Sequence, residues 1–505
     1  MEEGKALHAK PDSRGEGKVP NAKPDLMGKG KALHAGLGWN IIQGSGEERN
    51  KSRNPGNRSV FLSGGSQKDY CLGLFPKFSS QEQKLLSKVA SLFQKREGEA
   101  TCKSLKDFFR VFCMQNLILL EKRQSEYLLL ALERHLFGFG PMDFFLEDEN
   151  LEEIAVIGTG REKPVQVFHV RHGWLGTNVF FTSEEAVKDL VNKMSRGIGR
   201  RLSMKEPVIN AILPDGNRLS AAMRPVSFSG PAMSIRKFRK KPFTPVDLVR
   251  NSTFSTEAMA FIWVAMQCEC SVLVVGNTGS GKTSSLNSLL AFVPKDERIV
   301  LVEETPEIRV QHRHFVKLNV VKEQGVGMQD LIFESLRMRP DRILVGEIRD
   351  SKEVAAFVDT LLAGQGKGSY ATFHGQDCEE ALNRMRCLGI LEADLAAIDL
   401  VVVQRRWNRM DRKEGNKEIR RAVEVVELVK RNERLEANKV FEFDYKKNAL
   451  IRKKASTRVF EKAKRSFSFE EKGFSEELEK RKKFLEREMK RRESLEGFFA
   501  RVNKF

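Results

Sequence analysis

The stretch GNTGSGKTSSLNSLL, residues 276 to 290, constrains the fold more than any other part of the chain. It contains the spacing G-x-x-x-x-G-K-[ST] from Gly276 to Thr283, and it follows the apolar run SVLVV directly. The run predicts a buried strand, and the residues after the loop predict a helix. A strand, a glycine-rich loop and a helix N-terminus together bind phosphate through backbone N–H groups. The sequence therefore predicts an α/β domain that binds a nucleotide.

The residues of this loop have separate predicted roles. Lys282 is expected to reach the β- and γ-phosphates, and the Thr283 hydroxyl is expected to ligate Mg²⁺. The rest of the loop is expected to surround the phosphates: Gly276, Asn277, Thr278, Gly279, Ser280 and Gly281. The expected cofactors are ATP and Mg²⁺.

Strands and helices alternate on both sides of the loop, in residues 251 to 410. The apolar runs SVLVV, RIVLVEE, FVKLNV, RILVGE, SYATFH and IDLVVVQ read as strands, with helical segments between most of them. Such alternation predicts a largely parallel sheet with helices on both faces. We therefore expect an α/β P-loop core over this range.

The residues before this core divide into three predicted regions and a linker. Residues 1 to 65 are rich in Gly, Lys, Pro, Asn and Ser, repeat GKALHA and AKPD, and are expected to be a disordered basic tail. Residues 66 to 140 are expected to be helical. Short strands then predict a separate α/β N-terminal domain over residues 141 to 240, and residues 241 to 250 form the linker.

Local signals refine these boundaries. In the helical region, Ser80 and Gln83 predict a capping box ahead of KLLSKVASLF. At the other end of the chain, residues 411 to 505 are expected to form a basic region of strands followed by helices.

The net charge of +19 is concentrated near the end of the chain, where residues 405 to 505 hold 32 Lys and Arg against 19 Asp and Glu. Such an excess is typical of proteins that bind nucleic acid, an anionic membrane or an acidic partner. It is also typical of the solvated faces of long helices with mixed charges. The charge alone therefore selects no partner.

Cysteine spacing and hydropathy indicate the compartment in which the protein is expected to work. The seven cysteines include no C-x-x-C pair, so the sequence suggests neither a disulfide framework nor a zinc site. No apolar run approaches the 18 residues of a membrane span, and MEEGKALHAK lacks the apolar core of a signal peptide. A cytoplasmic protein is expected.

Acidic residues stand at the ends of two predicted strands. Glu303 and Glu304 end the strand in LVEETPEI, and Glu347 ends RILVGE in the manner of a Walker B strand. Ligands of open α/β sheets bind at the carboxyl ends of strands. A carboxylate there can order Mg²⁺ or polarise the attacking water. His374 ends SYATFH in the same way and is a candidate contact of the γ-phosphate.

Four arginines are candidates for stabilising the charge of a transferring phosphoryl group. Arg218 lies in LPDGNR and Arg236 in SIRKF, while Arg337 and Arg339 lie in SLRMRP. All stand at ends of predicted elements, and the sequence does not choose among them.

Four motifs occur in the order GNTGSGKT, VEETPEI, LRMRPDRILVGEIRD and GSYATFHG. This order resembles the type II/type IV secretion system ATPases, specifically the archaeal branch that serves type IV pilus-like machines and the archaellum. The motifs correspond to that family's Walker A, Asp box, Walker B and His box. GFGPMDFFLEDENLEEIAVIG and the stretch from PVINAILPDGNRLSAAM through GPAMSIRKF also resemble its PAS-like N-terminal domain. The resemblance extends past IDLVVVQRRW into the C-terminal region, so it covers about residues 80 to 490.

The resemblance implies a hexameric ring in which the nucleotide lies between the N-terminal and RecA-like domains of one subunit. It implies catalytic roles for Glu347, Glu303, Glu304 and His374, with Arg218 and Arg236 closing the site. Movement between the domains would push on a polytopic platform protein in the membrane and so add or remove pilin-like subunits. The protein is then expected to associate peripherally with the inner face of the cell membrane.

The sequence also departs from the family pattern. The tetracysteine zinc insertion of bacterial type II members is absent, Glu304 stands where Asp is usual, and Lys367 stands where many members have a second histidine. The resemblance therefore implies no metal beyond Mg²⁺.

Three functions remain open at this level. The first is a motor ATPase for filament assembly or secretion. The second, favoured by the basic C-terminal region, is a DNA-translocating ATPase of the conjugation type. The third is a scaffold that binds nucleotide but hydrolyses it too slowly to do work. If the C-terminal region recruits the protein to a membrane, deleting residues 411 to 505 is expected to abolish recruitment and spare ATP binding.

Overall fold

A computed structural model describes the chain in eleven stretches: 39–41, 58–63, 67–72, 78–97, 99–239, 241–321, 324–364, 366–411, 415–431, 434–491 and 494–505. Most of the predicted disordered tail, residues 1 to 65, lies outside these stretches. The two described pieces of that tail are strands, so the prediction is wrong for residues 39–41 and 58–63.

The first half of the chain combines a mixed sheet with five helices. Its strands are β1 Trp39–Ile41, β2 Arg58–Ser63, β3 Gln67–Leu72, β4 Leu151–Val156, β5 Gln166–His169, β6 Gly173–Thr177, β7 Val179–Phe181, β8 Val208–Ile212, β9 Arg218–Ala222 and β10 Ala232–Arg236. Its helices are α1 Ser80–Lys95, α2 Cys102–Gln115, α3 Lys122–Phe137, α4 Met142–Glu147 and α5 Glu184–Ser195, followed by a 3₁₀ turn at Arg196–Ile198.

Eight of these strands form one sheet in the order β2-β3-β6-β5-β4-β10-β9-β8, and β1 pairs with β7. Residues of α1 to α5 share one hydrophobic core with this sheet. The region expected to be only helical therefore begins with a strand, β3, which joins the sheet of the following domain. Helix α1 begins one residue earlier than expected, because Ser79 and Glu82 form the capping box.

The second half is built around the phosphate-binding loop. Its strands are β11 Val272–Gly276, β12 Ile299–Glu303, β13 Phe315–Asn319, β14 Arg342–Ile348, β15 Ser369–His374, β16 Leu400–Asp411, β17 Gly415–Arg431, β18 Arg434–Asp444 and β19 Ala449–Arg452. Its helices are α6 Pro245–Arg250, α7 Thr256–Gln267, α8 Lys282–Leu289, α9 Met328–Leu336, α10 Ser351–Leu362, α11 Cys378–Cys387, α12 Glu392–Leu395, α13 Arg458–Phe467, α14 Glu471–Glu488 and α15 Leu495–Val502, with a 3₁₀ turn at Leu290–Phe292.

The nine strands form one sheet in the order β13-β12-β14-β15-β11-β16-β17-β18-β19. The first six strands are parallel. The apolar side chains of β11, β12, β14, β15 and the start of β16 are buried because helices cover both faces, whereas Phe315 of the edge strand β13 is exposed. Strand β15 separates β11 from β14, which is the RecA-like arrangement. The expected fold class is thus confirmed.

The C-terminal region belongs to this same unit. Strand β16 runs across the boundary expected at residue 410, and β17 to β19 extend the sheet as antiparallel strands. Helices α13 and α14 pack on α7, where the Trp263 ring stacks on Phe292 at 5.0 Å and meets the edge of Phe484 at 5.4 Å. The sequence signal that suggested a separate region was charge. Many of the charged side chains are exposed, but Glu424, Glu427, Arg481 and Glu488 are buried.

Candidate nucleotide site

The phosphate-binding loop runs from the end of β11 to the start of α8 and depends on two of its glycines. A side chain on Gly276 would collide with the Gln404 carbonyl oxygen of the neighbouring strand β16. Gly281 caps α8 in the left-handed region, at φ +97°, and no atom lies within 4 Å of the place where a Cβ would stand. The loop therefore leaves open space beside the helix N-terminus, where N–H groups lack intrahelical partners.

Two polar side chains in the loop fit a phosphate group. The buried Lys282 ammonium donates a hydrogen bond to the Gly276 carbonyl at 3.1 Å, within the loop itself. Burial lowers the pKa of Lys282; the charge of Arg236 adds to this effect, and Glu347 opposes it. The Ser280 hydroxyl is buried and has no hydrogen-bond partner among the described residues. An anion at this point would supply partners to both side chains, so the loop fits the phosphates of a nucleotide.

A cavity of about 560 Å³ lies between the two halves of the chain. The loop contributes four of the predicted residues to its wall: Thr278, Gly279, Gly281 and Thr283. The N-terminal sheet contributes Arg218 and Arg236, which stand directly opposite each other on β9 and β10 and are both exposed. The structure therefore brings these two arginines and the loop to one cavity.

Glu347 and His374 meet at the carboxyl ends of β14 and β15. The His374 Nε2 atom lies 2.7 Å from one Glu347 oxygen, and Arg349 Nε donates to the other oxygen at 2.7 Å. Arg349 also pairs with Glu304, so one guanidinium holds two predicted acids. This cluster stands close to the loop. The charge of Glu347 raises the pKa of Lys282, and the charge of Lys282 lowers the pKa of His374.

The protonation of this pair follows from its surroundings. Burial by itself raises the pKa of Glu347, but the hydrogen bond and charge of Arg349 outweigh burial and hold that pKa below its ordinary value. Burial and the charge of Lys282 lower the pKa of His374, and Glu347 only partly offsets them. Near neutral pH the carboxylate is therefore ionised and the imidazole is neutral. The Nε2–H group of His374 then donates a hydrogen bond to Glu347.

Glu303 ends β12 and faces inward. One of its oxygens accepts hydrogen bonds from the backbone N–H groups of Glu307 and Ile308, at 3.0 and 2.9 Å, and the other lies 3.5 Å from the Lys317 ammonium. Burial raises the pKa of Glu303 despite these partners. The carboxylate thus fixes the turn that carries Glu304 and Thr305 past the end of the sheet.

Other predicted residues lie away from the cavity. Arg337 is exposed and pairs with Glu334 at 3.3 Å, and neither Arg337 nor Arg339 is among the residues that line the cavity. Lys367 precedes the amino end of β15, and His374 stands at the carboxyl end of the same strand. The Lys367 ammonium lies 3.5 Å from the carboxylates of Glu297 and Asp341. The residue that departs from the family pattern therefore does not enter this site.

The side chain of Asn277 has a structural partner. It accepts a hydrogen bond from the Arg406 backbone N–H and donates one to the Arg406 carbonyl, both at 2.9 Å. Asn277 therefore ties the loop to β16, and only its backbone remains to face a ligand.

Sequence reasoning missed three cationic residues at the site. Arg349 stands two positions after Glu347, Arg406 reaches the loop from β16, and Arg420 of β17 pairs with Glu152 of β4 at 2.9 and 2.8 Å. The position of Arg349 within GEIRD was a usable signal. No local pattern marks Arg406 or Arg420, because their roles depend on which strands become neighbours.

Two kinds of site were searched for in the described ranges. No group of three His, Cys, Asp or Glu side chains there converges to hold a metal ion. None of the helices described has both the length and the hydropathy needed to cross a membrane.

Comparison with known proteins gives a consistent family. A sequence model described as type II/IV secretion system protein matches residues 155–487. An uncharacterized protein of Methanocaldococcus jannaschii is 37% identical over 236 residues, which are 45% of this chain and 32% of that protein. The type IV secretion system protein VirB11 of Bartonella henselae is 29% identical over 52% of this chain and 86% of its own length. The conjugal transfer protein TrbB of Rhizobium radiobacter is 29% identical over 48% of this chain and 73% of its own.

The chain spans 32% of the length of this M. jannaschii relative and 50% of the length of a second uncharacterized protein of the same organism, which is 33% identical over 285 residues. The segment that the family model matches, residues 155–487, includes the phosphate-binding loop, the two arginines of the N-terminal sheet and the Glu347 cluster.

Proposed function

Because the chain belongs to the type II/IV secretion system protein family, we propose that it is a motor ATPase. It couples ATP hydrolysis to the assembly of a type IV pilus-like filament or archaellum, or to secretion. One observation carries this proposal: the loop and the arginines of the N-terminal sheet face each other across one cavity, with the Glu347 cluster beside the loop. A site built from two domains changes when those domains move, which is what a motor requires.

Each residue of the site has a role in this proposal. ATP with Mg²⁺ supplies the phosphoryl group that is transferred to water. Lys282 and the loop amides bind its phosphates, Thr283 provides the hydroxyl for the metal, and Glu347 accepts the proton of the attacking water. Arg218 and Arg236 balance the negative charge from the opposite wall.

The assembly and the partners are proposed on the same basis. The working form is a homo-hexamer in the cytoplasm, held at the inner face of the cell membrane by a polytopic platform protein. Domain movement in the ring pushes on that protein, which adds or removes pilin-like subunits.

Hydrolysis by a Glu347→Gln variant tests the proposal. The variant is expected to bind ATP as the wild type does and to lose turnover at least 100-fold, since the amide cannot accept a proton. Glu334→Gln, which changes an exposed carboxylate on α9, is the matched control and keeps turnover. Unchanged turnover in Glu347→Gln removes Glu347 from the chemistry. A wild type that binds ATP but does not hydrolyse it instead supports the scaffold.

A DNA-translocating ATPase of the conjugation type is the second candidate. The net charge of +19 and the similarity to a conjugal transfer protein favour it. It predicts DNA binding that weakens steeply with salt, and hydrolysis that DNA stimulates. The absence of both effects at low salt excludes it.

A further inference from the structure

Arg406 reaches the phosphate-binding loop from outside the motifs. The Asn277 side chain fixes its backbone through two hydrogen bonds of 2.9 Å, so β16 presents this residue at a set position beside the loop. Its guanidinium lies against Gly279, where a Cβ would collide with the Arg406 Nη1 atom. Gly279 has φ +74° and lines the cavity, as Arg406 does. The cation therefore lies beside the loop, in the wall of the cavity that the loop faces.

The same guanidinium also contacts the N-terminal half of the chain. It lies 5.3 Å from the centre of the Phe168 ring of β5, and it forms an ion pair of 2.7 Å with Glu418 of β17. The Arg406 side chain keeps 31% of its surface exposed to the cavity. Because its backbone is fixed and its head is partly exposed, it can change partners by side-chain rotation alone.

Glu418 is shared between two arginines. It pairs with Arg406 at 2.7 Å and with Arg420 at 3.2 Å. Arg420 in turn donates two hydrogen bonds to Glu152 of the N-terminal sheet, at 2.9 and 2.8 Å. These four side chains form a continuous line of alternating charge from the loop to the other domain. If Arg406 breaks its ion pair with Glu418, the Glu418 carboxylate pairs with Arg420 alone.

We propose that Arg406 is a nucleotide-binding residue that exchanges Glu418 for the phosphates in the loop, and that this exchange reports nucleotide binding to the N-terminal domain through Arg420 and Glu152. The inference rests on the proposed function, because it requires a nucleotide in the loop. A guanidinium binds phosphate in a bidentate manner, and a nucleotide carries more negative charge than one carboxylate. The nucleotide therefore competes successfully for Arg406.

Titration with fluorescent ADP tests the first half of the proposal. Arg406→Gln is expected to weaken ADP binding roughly tenfold, since a hydrogen-bonded charge is lost. Glu418→Gln is expected to tighten it about threefold, because Arg406 no longer has to leave a carboxylate. The double variant is expected to bind as Arg406→Gln does, since the effect of Glu418 passes through Arg406.

Arg409→Gln is the matched control. Arg409 is an exposed residue of the same strand, three positions on, and therefore on the opposite face from Arg406. It is expected to leave ADP affinity unchanged. Glu418→Gln keeps the proposal testable even if Arg406→Gln fails to fold, because a purely structural ion pair predicts weaker or equal binding when Glu418 is neutralised.

The results separate the two proposals. If the wild type and Lys282→Ala bind ADP equally weakly, the proposed function fails and this inference fails with it. If Lys282→Ala loses binding but Arg406→Gln and Glu418→Gln match the wild type, only the inference is overturned.

The second half is tested through Glu152, a residue of β4 that lines the same cavity as Arg406. Binding effects between linked sites are reciprocal, so breaking the Arg420 pair must change ADP affinity if ADP binding alters that pair. Glu152→Gln is expected to shift ADP affinity in the wild-type background and to have no effect in the Arg406→Gln background. An equal shift of ADP affinity in both backgrounds, or no shift in either, overturns the proposal that nucleotide binding is transmitted to the N-terminal domain.

Discussion

Arg349 sets the charge state of the Glu347 cluster. Its guanidinium bonds both Glu347 and Glu304, and its hydrogen bond and charge are what hold the pKa of Glu347 below the ordinary 4.5 against the effect of burial. A proton acceptor in this position works only when ionised. Arg349 therefore determines how far into acid solution the proposed ATPase keeps turning over.

Replacing Arg349 by Gln is expected to raise the pKa of Glu347. The acid limb of the turnover profile should then move to higher pH, because protonation of the carboxylate begins earlier as the pH falls. The measurement is kcat between about pH 4.5 and 8 for the wild type, Arg349→Gln and the exposed control Arg431→Gln. An acid limb that stays in place shows that Glu347 does not govern it.

The Glu303→Gln variant is expected to be more stable than the wild type at pH 7. Burial raises the folded-state pKa of Glu303 above 4.5, so ionisation costs stability as the pH rises past that value. The amide oxygen of Gln can still accept from the Glu307 and Ile308 N–H groups. The advantage should shrink as the pH falls towards 4.5, which denaturant unfolding at several pH values measures. A difference in the free energy of unfolding that does not change with pH contradicts the raised pKa of Glu303. Turnover of the variant shows separately whether the charge of Glu303 serves catalysis.

The sequence located the ends of strands well and the contacts between strands poorly. Glu347 and His374 were predicted as separate candidates, and the structure joins them at 2.7 Å. Their contact follows from the parallel pairing of β14 and β15, which no local pattern specifies. The capping box was misplaced by one residue because Ser79 and Ser80 are adjacent and both are followed three positions later by Glu or Gln.

At the scale of elements, α7 is the centre of the second half of the chain. All residues from Ala258 to Met266 are buried, with α13 and α14 packed against them. The helix reads as apolar all round, which is the pattern of a helix covered on every side. The apolar composition of the helix agrees with its burial, whereas no local pattern indicates that the basic C-terminal helices cover it.

This packing corrects the expected effect of a truncation. Deleting residues 411 to 505 removes β17 to β19 from the sheet and uncovers α7, so it cannot simply spare ATP binding. We expect the truncated chain to aggregate or to unfold on expression. Recruitment to a membrane is better tested with point substitutions on exposed C-terminal residues.

Phe484→Ala tests the role of the C-terminal helices in stability. Phe484 is buried against Trp263, and its removal is expected to lower the free energy of unfolding by roughly 3–5 kcal/mol. Phe467→Ala changes the same residue type on α13 at a 37% exposed position and is expected to cost under about 1 kcal/mol. Chemical denaturation of both variants measures the difference. Equal costs would show that α14 does not stabilise the core.

At the scale of the whole molecule, the site draws on both halves of one chain. The loop and Glu347 come from the second half, whereas Arg218 and Arg236 come from the first. The resemblance implies such a division for the nucleotide site, which stays a prediction, and residues of both halves line the cavity. Two exposed arginines, Arg337 and Arg339, do not line the cavity of their own chain; in the proposed hexamer they are available to a neighbouring subunit.

Turnover per subunit is therefore expected to rise with protein concentration and then to saturate as the ring forms. Mg²⁺-dependent hydrolysis, measured together with native mass over the same dilution series, tests this. The rise should coincide with the appearance of the hexamer. Constant turnover in a sample that native mass shows to be monomeric contradicts a requirement for assembly.

The burial of α7 has a consequence for the synthesis of the chain. Trp263 leaves the ribosome long before Phe484, which follows roughly two hundred residues later. Until then an apolar helix and the edge of an unfinished sheet stand open to other nascent chains. Production of this protein should therefore depend on chaperones that bind exposed apolar segments during translation, and slowing elongation after β16 should increase the aggregated fraction.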